Sequence, residues 1–189
     1  MAKAAPIGEE DWPRTVAAFE EWHALQPERW EFVAGRPRLM APASMRHSVI
    51  KNNVGFALRR ASADRGWMAL VDGPQILTED ISAIPDVVVT CAPLDLTTPV
   101  IAAPAIIVEV MSPSTEGDDH GLKWLSYRKI ASLRHYLVIA QDQRLVHLHS
   151  RAGDIWRERF VSAGSLTLDD PPVTLALEAV YAATDVAAS

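Results

Sequence analysis

Residues 105–111 read Ala105-Ile-Ile-Val-Glu-Val-Met111, and residues 85–91 read Pro85-Asp-Val-Val-Val-Thr-Cys91. Both are near-continuous β-branched runs, the pattern of strands buried on both faces. Each carries one carboxylate: Asp86 opens the first run and Glu109 interrupts the second. If the two strands are sheet neighbours, both carboxylates meet at one end of the sheet. Burying an unpaired carboxylate is costly, so a divalent cation, a lysine or water at the sheet edge must compensate. The other possibility leaves Asp86 in a turn and Glu109 facing solvent at a strand end. Periodicity alone does not separate the two.

Downstream, residues 116–131 form a helical pattern, with Ser114 or Thr115 as N-cap and acidic residues in the first turn. Asp119, Lys123 and Tyr127 recur at intervals of four and share one face of it. By themselves they describe an ordinary surface ion pair beside an amphipathic tyrosine. Because this helix follows the Glu109 strand after the Ser112-Pro-Ser-Thr loop, a short return path can also bring Lys123 over the strand end.

Upstream, residues 15–25 place Val16, Phe19 and Trp22 on one helical face. Trp30-Glu-Phe-Val and Pro37-Arg-Leu-Met read as two strands joined at Ala34-Gly35. Residues 44–63 are the longest helical pattern, with Val49, Ile50, Val54, Ala57 and Leu58 as the apolar stripe. His47, near its start, is placed to touch a substrate phosphate or to cap the helix. Arg36, Arg38 and Arg46 form the best local basic patch. Short strands are expected at 67–71 and 75–77, and further strands at 135–140, 145–150 and 155–160. A closing strand and short helix fall between 166 and 183. The expected architecture is one mixed α+β domain spanning 1–189, with its core at about 15–183 and a central sheet against helices.

His147 and His149 alternate along a strand, so both rings and Arg151 point to one face. Such a pair can hold a transition metal. With no third ligand at a suggestive spacing, the favoured reading is a solvated face on an edge strand.

Composition narrows the function. The 189 residues carry 18 basic and 24 acidic side chains, a net charge of −6, which disfavours a general nucleic-acid packaging role. Only four residues are lysine, against fourteen arginines, so each lysine is informative. The single cysteine, Cys91, excludes a disulfide scaffold or zinc ribbon and fits a reducing cytosol. The N-terminus lacks the apolar core of a signal peptide, and the longest uncharged apolar stretch, residues 96–108, is too short for a bilayer and holds two prolines. A cytoplasmic protein without membrane attachment is expected. There is no Gly-x-Ser-x-Gly elbow and no phosphate-cradling glycine loop, which argues against nucleophilic hydrolysis and against a nucleotide cofactor.

Taken in order, Pro85-Asp86, Glu109-Val-Met-Ser-Pro-Ser-Thr115, Asp119-x-Gly121-x-Lys123 and Tyr127 resemble a family of restriction-endonuclease type within the PD-(D/E)XK nuclease superfamily, long catalogued as a domain of unknown function. The resemblance extends from Trp30-Glu-Phe-Val-Ala-Gly35 through His47 and Ser132-Leu-Arg-His-Tyr-Leu137 almost to the C-terminus. It implies a restriction-endonuclease-like core, a mixed sheet flanked by helices with an N-terminal helix and hairpin. It also implies cleavage of phosphodiester bonds, DNA above all, with Mg²⁺ or Mn²⁺. Asp86 and Glu109, with Val110, would then hold the metal. The superfamily pattern places a lysine two positions after the glutamate, where Met111 stands here. In this family the lysine has moved to the next helix, and Lys123 matches it as the catalytic lysine. Glu31, His47, Ser112, Asp119 and Tyr127 match supporting positions, and relatives of this type are often homodimers.

Oxygen ligands suit a hard cation such as Mg²⁺, which needs only one or two protein carboxylates. The leading reading is therefore a metal-dependent endonuclease. A nuclease fold kept as a non-catalytic binding or regulatory module stands second, on the net acidity and the lack of a target-reading domain. An enzyme built on His147 and His149 stands third.

Overall fold

In the computed structural model, residues 11–111 and 119–187 are described, and the Ser112-Pro-Ser-Thr loop lies outside them. Helix α1 (Val16–His23) starts at Thr15, whose side chain accepts from the Ala18 amide. Strands β1 (Trp30–Val33) and β2 (Arg36–Leu39) follow as a hairpin. Its turn residues, Ala34 and Gly35, have φ of 52° and 78°, the left-handed conformation that two-residue hairpin turns require. Helix α2 (Met45–Ser62) is capped by Ser44, whose Oγ accepts from the His47 amide. The middle of the chain forms β3 (Met68–Val71), β4 (Ile76–Leu77), β5 (Ile81–Ala83), β6 (Val87–Thr90) and β7 (Pro104–Met111). Helix α3 (Asp119–Tyr127) then leads to β8 (His135–Ala140), β9 (Val146–Ala152) and β10 (Ile155–Val161). A hairpin of β11 (Ser165–Asp169) and β12 (Pro172–Ala176) and the short α4 (Leu177–Val180) close the chain.

The central sheet has the order β10-β9-β8-β7-β6-β3, with β7 antiparallel to β6 and parallel to β8. The two apolar runs are indeed adjacent inner strands, and both are buried almost throughout. Their alternate residues supply two separate cores, as continuous β-branched runs covered on both sides must. Val87, Val89, Ile106 and Val108 pack against Ile50, Val54 and Leu58 of α2 and against the β11–β12 hairpin. Val88, Ile107, Tyr136 and Val138 pack against Tyr127 of α3 and against Val33, Ile76 and Ile81. The mixed sheet flanked by helices is thus as expected.

The sheet arrangement departs from the expectation of one sheet. A second sheet, β2-β1-β5-β4, holds the N-terminal hairpin, and β11–β12 forms a third. Neither β5 nor the second strand of the closing hairpin was anticipated; β5 has only three residues, and β12, though it alternates in burial, follows β11 so closely that the two read as one closing strand. Helix α3 ends at Tyr127 rather than near residue 131. The Arg151 guanidinium takes up the Arg128 and Ile130 carbonyls at 2.8 and 3.0 Å, so those groups need no helical partner. Among the described residues no helix is long and apolar enough to cross a membrane.

Candidate active site

The Asp86–Glu109 pairing follows from register. Val87 pairs with Val108 across β6–β7, so Asp86, just before β6, lies beside the end of β7 that carries Glu109 and Val110. The Val110 amide donates to Asp86 Oδ2 at 2.7 Å, which ties the two strand ends together. Glu109 is only 5% exposed, so the possibility of a solvent-facing strand end is excluded.

Lys123 reaches this strand end from α3. Its Nζ lies 2.8 Å from Glu31 Oε2 and 3.1 Å from Glu109 Oε1. The surface ion pair read from spacing is therefore wrong for Lys123, which is buried with two carboxylates from other elements. Tyr127, one turn on, donates its hydroxyl to the same Glu109 Oε1 at 3.1 Å. Glu31 is fixed from below, because its Oε1 accepts the Ile84 amide at 3.0 Å. The side chain of Asp119, like Ser112, lies outside the described residues.

Helix α2 contributes the other wall. His47 Nε2 is 3.2 Å from Asp86 Oδ2, so His47 meets a carboxylate rather than capping the helix, a task Ser44 performs. Lys51, one turn later, lies 3.3 Å from Asp72 and 3.9 Å from Asp86. Neither Lys51 nor Asp72 was singled out from sequence. The signal was the i,i+4 spacing of His47 and Lys51, together with the scarcity of lysine. Of the expected basic patch, Arg36 and Arg38 line the cleft. Arg46 does not: it makes a paired contact with Asp185, at 2.7 and 2.6 Å, elsewhere on the surface.

The cleft encloses about 1030 Å³ and is walled by the β1–β2 hairpin, the segment 40–43, and the site side chains. Its charge is unusual for a buried site: Glu31 and Glu109 converge on Lys123, while Asp86 lies beside His47 and, more loosely, Lys51. Burial pushes Glu109 up, the Lys123 ammonium opposes this, and Asp86 and Glu31 add to the rise, leaving it at about 8. Burial works against the charged form of Lys123, but Glu109 and Glu31 outweigh it and raise its pKa well above the usual lysine range. Around Lys123, two carboxylates thus share one ammonium.

Sequence and structure comparisons bear on the same architecture. The family described as Uma2, putative restriction endonuclease, matches residues 16–184. The chain belongs to this family. Two uncharacterized proteins of Synechocystis are similar to this Uma2 member. One is 29% identical over 167 residues, covering 85% of this chain and 87% of its own length. The other is 28% identical over 145 residues, covering 74% and 82%. A crystal structure of a putative nuclease belonging to DUF820 from Anabaena variabilis superposes with a TM-score of 0.72. It covers 89% of this chain and 98% of that one at 16% identity, a likeness of fold.

The third sequence reading fares differently. His147 and His149 do not lie on a solvated edge strand, since β9 runs between β8 and β10. His149 is 5% exposed and stacks on Trp124 of α3 at 4.1 Å between ring centres. The third group that spacing did not reveal is Glu158, paired with His149 across β9–β10.

Proposed function

We propose that this Uma2 protein hydrolyses phosphodiester bonds of nucleic acid, DNA first among them, with Mg²⁺ or Mn²⁺ as cofactor. One observation carries the reading: Asp86 and Glu109, from adjacent strand ends, face one cleft together with Lys123. The donor set fits a hard cation. Lys123 and Tyr127 both engage Oε1 of Glu109, and Val110 and His47 both engage Oδ2 of Asp86. Among the described residues, Oε2 of Glu109 is thereby left to a ligand from the cleft, and Oδ1 of Asp86 has only the Lys51 ammonium, at 3.9 Å. The raised pKa of Glu109 speaks for the same conclusion, because surplus buried carboxylate is what a cation relieves.

When bound between Asp86 and Glu109, with Val110 alongside, the cation would supply Lewis acidity toward the phosphate and an activated nucleophile. The protein's own part is positional and electrostatic. Lys123, fixed by Glu31 and Glu109, orients the attacking water and offsets charge that develops on the phosphate. Tyr127 and Val110 hold the two carboxylates in place, and His47 steadies Asp86. Arg36 and Arg38 at the rim supply positive charge for a phosphate backbone.

The test is cleavage of duplex, single-stranded and branched DNA and of RNA, with Mg²⁺, Mn²⁺ or a chelator. Cation-dependent cleavage is expected, lost in Asp86→Asn and Glu109→Gln. In Lys123→Ala it should fall by roughly 10²–10⁴-fold. Lys123→Arg should not rescue, since a planar fork does not replace a compact ammonium in a closed site. Cation-dependent binding with no cleavage of any substrate would instead mark a non-catalytic binding or regulatory module.

A further inference from the structure

We propose that His147, His149 and Glu158 form a second metal site, separate from the carboxylate cleft and suited to zinc or a similar borderline transition metal. The two rings come from alternate positions of β9 and the carboxylate from its neighbour β10. Glu158 lies 3.1 Å from His147 Nε2 and 3.7 Å from His149 Nδ1, and all three donor atoms fall within 4.8 Å of one another. In a tetrahedral zinc site with bonds of about 2.0–2.2 Å, ligand atoms are roughly 3.3–3.6 Å apart. The two Glu158 contacts, one from each carboxylate oxygen, lie on either side of that spacing.

A second observation points to a ligand. Among the described residues, Nδ1 of His149 is buried without a hydrogen-bond partner, and 3.7 Å is too long for Glu158 to provide one. Buried ring nitrogens are almost always satisfied, so an orphan aimed at a carboxylate and a second imidazole fits metal ligation. The rings are also held in place. His149 stacks on Trp124 with 26° between planes, and His147 stacks on Phe160 at 4.1 Å and 17°. Two imidazoles and one carboxylate favour zinc over magnesium, whereas the all-oxygen cleft has the opposite preference. With three protein ligands, the fourth position would be left to water.

The site's place in the fold suggests what it does. Glu109, Val138, His147 and Phe160 lie in one row across β7, β8, β9 and β10. Two strand spacings, about 10 Å, therefore separate the backbones at Glu109 and His147. A metal here would pin the edge strand β10 to β9. Through Trp124 it would also brace α3, the helix that carries Lys123.

The experiment uses the full-length Asp86→Asn/Glu109→Gln protein, so that the carboxylate cleft cannot supply the binding. Zinc is titrated by calorimetry, and cobalt is added separately as a visible-absorption probe. One equivalent of zinc should bind, with cobalt bands typical of four-coordination and a melting temperature that rises with zinc. His147→Gln and Glu158→Gln, both at partly open positions, should each weaken zinc binding at least about tenfold and abolish the thermal shift. Circular dichroism checks that those variants are folded, and His149→Ala is read only if it passes the same check. Absence of zinc binding, or binding unchanged in both His147→Gln and Glu158→Gln, would overturn the proposal. Because nuclease activity is never read, failure here and failure of the proposed hydrolysis are distinguishable.

Discussion

Glu109 makes a distinct contribution to the response to pH. In the unfolded chain its carboxyl titrates near 4.5, and in the folded protein near 8. Between those values the folded state holds a proton that the unfolded state has lost, so this group's contribution to stability is full at low pH and is lost as pH rises through about 8. Below about pH 6.5 the burial-lowered His149 and His135 act with the opposite sign, so without divalent cation the melting temperature should fall between about pH 6.5 and 8, and Glu109→Gln should flatten that fall; calorimetry in chelator tests both. Added Mg²⁺ or Mn²⁺ should stabilise the wild type most at the alkaline end, where cation and proton compete least. The two lysines near the end of α3 provide a contrast. Lys129 pairs with Asp80 on the surface, so Lys129→Ala should cost less than ~1 kcal/mol. Lys123→Ala strands buried carboxylates and should cost about 3–5 kcal/mol at pH 8, and less at pH 5, by chemical denaturation.

At the scale of elements, one close approach sets the position of the His47–Lys51 wall. Helix α2 meets β3 at Gly55, where a methyl group would run into the Val71 side chain. Val71 is β-branched and can yield little. Gly55→Ala should therefore cost about 1–3 kcal/mol in urea melts and displace His47 and Lys51 from Asp86. Much of this arrangement was legible in the sequence. Asp86 and Glu109 stood out because each breaks an apolar run, and the β1–β2 turn because Gly35 readily takes positive φ. Ordered motifs in turn picked out Glu31, Lys123 and Tyr127. What escaped depended on tertiary neighbours. Asp72 sits in a turn with φ of 50° and matters only because Lys51 and Arg29 reach it. Glu158 became a partner of two histidines only through the β9–β10 register, which no spacing along the chain encodes. Arg46 looked like part of a basic patch until Asp185, far away in sequence, claimed it.

At the scale of the whole molecule, β10 is an outer strand that leaves Ile155 and Phe160 exposed. Exposed apolar side chains beside an open strand edge favour association with another strand, while Arg157, Glu158 and Arg159 between them work against it. A homodimer is expected, with sedimentation at micromolar concentration giving twice the 20.7 kDa of one chain. A monomer throughout would count against it, and Phe160→Lys should dissociate a dimer formed along this edge. The parallel join of β7 to β8 has a further consequence, and it concerns time. Neighbouring antiparallel strands such as β6 and β7 can pair locally, but a parallel partner must wait for the crossover between them to be laid down. Here that crossover is α3. During refolding, Asp86 and Glu109 can come together in an early hairpin, while Lys123 arrives only as the sheet closes. Pulse-labelled hydrogen exchange should find β6–β7 amides protected before those of β8. Lys123 would then take its place after Asp86 and Glu109, and a partly folded chain would carry the two carboxylates without it.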